Sequence, residues 1–182
     1  MGKRKKPAAS GSSAAGSKPP SACIVPDLLY LGPVSATANT GFLQRSGITH
    51  VVSIGKLPAT VTEGISYERL SLADDEAAAL ADVAARACAV IDAAAASGGR
   101  VLVHCSAAIS RSPAVVSAYL MRSRGMTLRQ SLETLVHARD AVSPNPGFMR
   151  QLAEMEKELF DGRSSFDVSD VVPQTRLMNY LL

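Results

Sequence analysis

The sequence predicts an α/β fold in which a small central, mostly parallel sheet is flanked by helices. Three observations lead there. Short β-type runs alternate with longer stretches of helical periodicity, the pattern that assembles into a layered domain. The run at 100–103, RVLV, is apolar at successive positions after Arg100, as befits a strand covered on both faces. With aromatics at 4% and alanine abundant, the core must come from Val, Leu, Ile and Ala, which suits closely packed helices on a small sheet. The 182 residues have room for one domain between two tails. We expect a disordered basic tail over 1–21, a folded domain over 22–160 and a C-terminal tail over 161–182.

The elements follow in order. Residues 23–32 carry Val25, Leu28, Leu29 and Leu31 around a Pro26–Asp27 bend and read as a first strand. Residues 35–46 read as a short helix with Leu43 inward, ended by Gly47. Strands are expected at 50–54 and 65–72, the second after a connection marked by Pro and Gly. From 75 to 96, Leu80, Val83, Ala84, Ala87, Val90, Ile91 and Ala94 recur at helical spacing, and Gly98 and Gly99 stop them. A helix over 113–122 follows the 100–103 strand. Thr127 and Gln130 then form a capping-box pattern ahead of Leu128, Leu132, Leu135 and Val136. A last helix carries Phe148, Leu152, Met155 and Leu159, and the apolar end at 177–182 is a candidate to dock on the body or on a partner.

The chemistry concentrates at 101–113, VLVHCSAAISRSP. A strand, a tight loop and a helix start are expected, with Ser112 as cap and Pro113 at the first helical position. Free N–H groups and the macrodipole make such a loop welcoming to an anion. Cys105 at its entrance would have its thiolate stabilised by those donors and by Arg111, giving a nucleophile at neutral pH. Arg111 can fork onto two oxygens of one phosphate, and Ser112 can donate a hydrogen bond to the sulfur.

HCSAAISRS resembles the signature of cysteine-dependent protein phosphatases, His-Cys, five residues, Arg-Ser, and in particular that of the dual-specificity class. VPDLLYLG, GITHVVS, AYLM and SPNPGFMRQL extend the likeness over roughly 21–160. The resemblance implies a protein tyrosine phosphatase-like fold and an atypical dual-specificity phosphatase that needs no metal and no cofactor. Cys105 would be the nucleophile, and Ser106, Ala107, Ala108, Ile109, Ser110 and Arg111 would bind the phosphate. His104 resembles the partner that lowers the cysteine pKa from behind the loop, and Asn145 the residue that braces it. The family has Gly where this chain has Ala108; should that backbone need φ > 0, the alanine costs on the order of 1–2 kcal/mol. Ser53 and Ser131 also replace a common Asn and a common Ala.

The reaction needs an acid for the leaving oxygen, and Asp74 and Asp75, after the third strand, are the candidates. We favour Asp74, whose placement resembles the family's general-acid loop. Both, with Glu76, would also suit the first turn of a helix. The loop carries no positive charge before Arg111, so phosphoprotein is the favoured substrate, as phosphotyrosine and also as phosphoserine or phosphothreonine. Two alternatives stay open: a pseudophosphatase that only binds phosphorylated partners, and a phosphatase for lipid or RNA.

Charge and cysteine usage narrow the rest. Lys3, Arg4, Lys5, Lys6 and Lys18 put five positive charges and no acid into the first 20 residues, more than the net +3 of the chain. The folded part is therefore slightly acidic, and we expect it to bind no nucleic acid. No apolar run approaches the ~20 residues of a membrane span. We expect an intracellular protein, cytoplasmic or nuclear, with the cluster Lys3, Arg4, Lys5 and Lys6 as a weak nuclear signal. Cys23, Cys88 and Cys105 suit neither a disulfide framework nor a zinc site. Cys88 could in principle trap an oxidised Cys105, but a small core residue is the simpler reading. Nothing in the sequence specifies an oligomeric state.

Overall fold

The computed structural model describes residues 21–165, 167, 177 and 181. The tail expected over 1–21 lies outside these, save for the buried Ser21. Five strands form one sheet in the order β1-β2-β5-β3-β4. These are β1 (Ala22–Val25), β2 (Leu29–Pro33), β3 (His50–Ile54), β4 (Ser66–Leu70) and β5 (Val101–Cys105). All pairs are parallel except β1 with β2, an antiparallel hairpin at one edge. The single first strand expected at 23–32 is thus two. Asp27, at φ 58, reverses the chain where the Pro26–Asp27 bend had suggested only an entry turn.

β5 lies between β2 and β3, and all five of its residues are buried. Its alternation serves both faces. Val101, Val103 and Cys105 join Val52, Ile54 and the large core beneath the helices, while Leu102 joins Val51, Phe42, Leu43, Ile48 and Ala36 on the other side. That second face is covered by a short 3-10 turn, Val34–Ala38, and α1 (Thr40–Arg45). The one helix expected at 35–46 is broken at Asn39, whose side chain accepts from the Phe42 N–H and caps α1.

On the main face lie α2 (Ala81–Ala96), α3 (Arg111–Arg124), α4 (Leu128–Ala138) and α5 (Pro146–Leu159). α3 is the hub: every residue from Ser112 to Met121 is buried, and it packs against α2, α4, α5 and β5. A stretch enclosed on all sides must be almost wholly apolar, and between Ser112 and Met121 only Ser112, Ser117 and Tyr119 carry polar side-chain atoms. Gly125, in the left-handed conformation, ends it. The capping box at Thr127 and Gln130 is formed.

Beyond α5, Ser165 and its neighbour Ser164 hydrogen-bond to the buried carboxylate of Glu156, which also accepts from the Leu128 N–H at 2.7 Å. Of the apolar end at 177–182, the described residues Leu177 and Leu181 are buried in the main core. No helix among the described residues is long and apolar enough to cross a membrane.

Candidate active site

The parallel strands direct their carboxyl ends to one edge of the sheet, where ligands of such folds bind. β5 ends there at Cys105, β3 runs into Gly55, and β4 leads into the loop carrying Asp74. Between Cys105 and α3 the chain makes a tight loop through Ser106, Ala107, Ala108, Ile109 and Ser110.

That loop turns carbonyls outward. The Ser106 oxygen accepts from the Val34 N–H at 3.2 Å and the Ile109 oxygen from the Ser143 N–H at 2.8 Å. The Ala107 oxygen accepts from Arg139 Nη2 at 3.3 Å. The opposite side of the loop presents amides to the Cys105 sulfur. Burial pushes this thiol up, but the Ser112 hydroxyl and the N–H groups of Ser112, Ala108 and Ala107 outweigh it, so the thiol sits below its ordinary value. Ser112 Oγ donates to Sγ at 3.1 Å. Neither Arg111 nor His104 is among these principal donors, although the sequence suggested both.

Ser112 is not the cap. α3 begins at Arg111 with Ser110 preceding it, so Ser112 and Pro113 stand inside the first turn. Pro113 is still within the four positions whose N–H lacks an intrahelical acceptor. Freed from capping, the Ser110 hydroxyl donates to Asp74 Oδ1 at 2.6 Å and accepts from the Asn145 N–H at 3.0 Å.

Ala108 does adopt the left-handed conformation, at φ 56, and is fully buried. His104 lies behind the loop, also fully buried. Burial lowers its pKa, so the ring is neutral near pH 7; Nδ1 faces the Cys105 carbonyl at 3.3 Å and Nε2 the Ser53 hydroxyl at 2.8 Å. These partners fix the proton on Nδ1 and make Ser53 the donor. His104 therefore reaches the cysteine's backbone and not its sulfur.

The structure brings Asp74 to the loop and leaves Asp75 outside it. Asp74 Oδ1 accepts from Ser110 Oγ and, at 3.1 Å, from Asn145 Nδ2, while Oδ2 lies 3.7 Å from Arg111 Nε. Asp75 Oδ1 accepts from the Ala77 N–H and turns the chain. Neither belongs to a helical first turn, because α2 starts at Ala81 and not at 75 as its periodicity suggested. The segment before α2 is instead gripped by α5. Gln151 accepts from the Leu80 N–H at 2.8 Å and donates to the Ala78 carbonyl at 2.9 Å, and Arg150 pairs with Glu76 at 2.9 Å. Gly147 sits so close to the Glu76 backbone that any Cβ would collide with it.

Arg111 Nη2 donates to Ser106 Oγ at 3.0 Å, and its buried Nε has no hydrogen-bond partner among the described residues. A partly buried guanidinium with donors to spare, next to a loop of inward amides, is suited to a tetrahedral oxyanion. Gly55, at φ 108, makes room for it: a Cβ there would stand 2.7 Å from Arg111 Nη1. The sequence assigns no role to Gly55, Arg139 or Gln151, which act across long chain separations; for Gly55 the φ-permissive glycine after a strand is a visible signal. Asn145 caps α5 through Oδ1, which accepts from the Phe148 N–H at 2.9 Å, while its N–H and Nδ2 reach Ser110 and Asp74. Cys88 is a core residue of α2 whose thiol burial pushes up to about 11.

Comparison with known proteins agrees with this geometry. Residues 29–158 match the sequence profile described as "Dual specificity phosphatase, catalytic domain". The chain is 38% identical over 132 residues to dual specificity protein phosphatase 1 of Arabidopsis thaliana, covering 72% of this chain and 67% of that one. It is 37% identical over 155 residues to dual specificity phosphatase 28 of Homo sapiens, covering 84% and 88% of the two chains. The crystal structure of a mouse dual specificity phosphatase complexed with zinc tungstate superposes with a TM-score of 0.75 at 36% identity, over 83% of this chain and 94% of the other. Human DUSP28 superposes with a TM-score of 0.73 at 35% identity, over 80% and 99%. A thiol held acidic at the end of the central strand fits a cysteine-based mechanism, and with these likenesses it makes the chain a member of the dual specificity phosphatase family within the protein tyrosine phosphatase superfamily.

Proposed function

We propose that the domain over 22–160 hydrolyses phosphotyrosine, and also phosphoserine and phosphothreonine, in proteins, with the residues of the Cys105 loop in the following roles. The Cys105 thiolate attacks phosphorus in line, while Arg111 and the amides from Ser106 to Arg111 hold the equatorial oxygens. As the phosphorus–oxygen bond to the substrate breaks, Asp74 gives its proton to the departing oxygen. Water then attacks the phosphocysteine, passing a proton to Asp74, and the sulfur–phosphorus bond breaks. Ser112 stabilises the thiolate that leaves. His104 braces the loop entrance at the Cys105 carbonyl, and Asn145 braces the Ser110 hydroxyl and Asp74. Every charge in these steps is met by the chain's own groups, so no metal or cofactor is required.

The observation that carries this reading is the Cys105 thiol lowered by the Ser112 hydroxyl and the N–H groups of Ser112, Ala108 and Ala107, with Asp74 anchored on the same loop. The loop offers no cation before Arg111, which favours a phosphoprotein over a polyanionic lipid headgroup. An intracellular setting, cytoplasm or nucleus, accords with three free cysteines and with the basic Lys3, Arg4, Lys5 and Lys6. The test is hydrolysis of p-nitrophenyl phosphate and of a phosphopeptide panel by wild type, Cys105→Ser and Asp74→Ala. Turnover by wild type that Cys105→Ser abolishes supports the reading. Equal, negligible turnover by both, with phosphopeptide still bound, overturns it in favour of a binding protein.

A further inference from the structure

We propose that Arg139 is a positioning residue for the reaction: by holding the Ala107 carbonyl outward, it keeps the Ala107–Ala108 peptide turned so that the Ala108 N–H faces the Cys105 sulfur. The inference rests on the reading of Cys105 as nucleophile. It starts from the planarity of the peptide, in which C=O and N–H point in opposite directions, so that fixing one fixes the other. Arg139 Nη2 donates to the Ala107 oxygen at 3.3 Å, and the Ala108 N–H is one of the donors to the sulfur.

This peptide is the weak point of the loop. Ala108 holds φ 56, a conformation that L side chains other than Asn and Asp rarely adopt. Flipping the 107–108 peptide would return that φ to negative values, relieving the alanine and turning its N–H away from the sulfur. A glycine at this position would feel no such pull, because both signs of φ are open to it. The neighbouring carbonyls of Ser106 and Ile109 are held by backbone amides of Val34 and Ser143. That of Ala107 is held by a side chain. Arg139 is itself placed by the end of α4, where its N–H donates to the Leu135 carbonyl at 2.8 Å. Its Nε is buried, which leaves the outer fork to make the contact. In this chain, an alanine that pulls the peptide one way is opposed by an arginine that pulls it the other.

The experiment is a double-mutant cycle between positions 139 and 108 in the full chain. Arg139→Met keeps the aliphatic stem and serves beside Arg139→Ala, each made alone and together with Ala108→Gly. Two quantities are read: kcat/KM on p-nitrophenyl phosphate, and the pH midpoint of Cys105 alkylation by iodoacetamide, with melting temperatures to monitor the fold. With Ala108 present, loss of Arg139 should lower kcat/KM about tenfold and move the alkylation midpoint to higher pH; in the Ala108→Gly background, the loss should shrink to about twofold. Equal losses in both backgrounds, or an unmoved midpoint, would overturn the proposal by reducing Arg139 to a general charge or a packing group. Wild type and Cys105→Ser run alongside. Turnover that survives Cys105→Ser would sink the nucleophile reading itself, whereas turnover lost in Cys105→Ser with additive Arg139 effects sinks only the positioning role.

Discussion

The Ser110 hydroxyl donates to Asp74 Oδ1 at 2.6 Å, tying the proposed acid to the loop that would hold the phosphate. Asn145 completes the knot, donating to the Ser110 oxygen through its N–H and to Asp74 through its amide. The proposed proton donor is thus located by the Cys105 loop and by the start of α5 together.

A first prediction concerns that location. Asp74→Asn should lower kcat on a phosphoserine peptide about a hundredfold and on an aryl phosphate with an acidic leaving group far less, since a good leaving group needs little protonation. Ser110→Ala should reproduce the pattern in weaker form, about tenfold, by loosening the carboxyl. Asp75→Asn should stay near wild type. Steady-state rates on both substrates check this, and a large loss in Asp75→Asn with none in Asp74→Asn would reassign the acid.

Ser112 supplies the side-chain hydrogen bond that lowers the Cys105 thiol. The thiolate fraction disappears as pH falls through the thiol's folded pKa, so a lowered pKa keeps activity at lower pH. Removing the donor in Ser112→Ala raises that pKa and should move the acidic limb of kcat/KM to higher pH. The same change makes sulfur a poorer leaving group, so hydrolysis of phosphocysteine should slow about tenfold and a burst of product appear. A limb that stays in place, with no burst, counts against the assignment.

For Ala108→Gly two magnitudes oppose each other. Leaving the left-handed conformation to glycine relieves roughly 1 kcal/mol, while the lost burial of a methyl costs about 0.8 kcal/mol. Stability should hardly change, yet kcat/KM should rise several-fold because the loop closes more fully around phosphate. Calorimetry beside kinetics reads both, and a flat rate would show that the alanine carries no penalty.

Gly55 tests the seat of Arg111. A methyl at this position would meet Arg111 Nη1 at 2.7 Å, on a backbone at φ 108 that suits only glycine. Gly55→Ala should weaken binding of a phosphate-like oxyanion such as vanadate about tenfold or more and destabilise the fold by roughly 1–3 kcal/mol. Isothermal titration and thermal melts check the two effects; unchanged oxyanion affinity would separate Gly55 from the site.

Much of this was legible because local pattern and final structure agree. The capping box at Thr127 and Gln130 and the apolar run of β5 each follow from signals within a few residues, whereas the left-handed Ala108 stands where the resembled family has Gly. Local reading misled where a side chain answers to a distant group. Ser112 has the character of a cap, yet α3 starts before it and its hydroxyl makes only the other expected contact, to Cys105, while Ser110 before it serves Asp74 and Asn145. Residues 75–80 have helical composition, but Gln151 takes up the Leu80 N–H and Ala78 carbonyl and Gly147 presses on Glu76, so the segment stays a loop. His104 also changed character: its partners, Ser53 and a carbonyl, make it a neutral brace. The contacts of Gly55 with Arg111 and of Arg139 with Ala107 join segments far apart in sequence, which no periodicity announces.

The most direct measurement traps the covalent intermediate. Wild type mixed with a phosphotyrosine peptide, quenched in acid within milliseconds and digested, should yield the Cys105 peptide carrying one phosphoryl group, and Cys105→Ser should neither carry it on that peptide nor turn over. Phosphate released by wild type without any phosphoryl group on Cys105, at a rate that Cys105→Ser retains, would contradict the account.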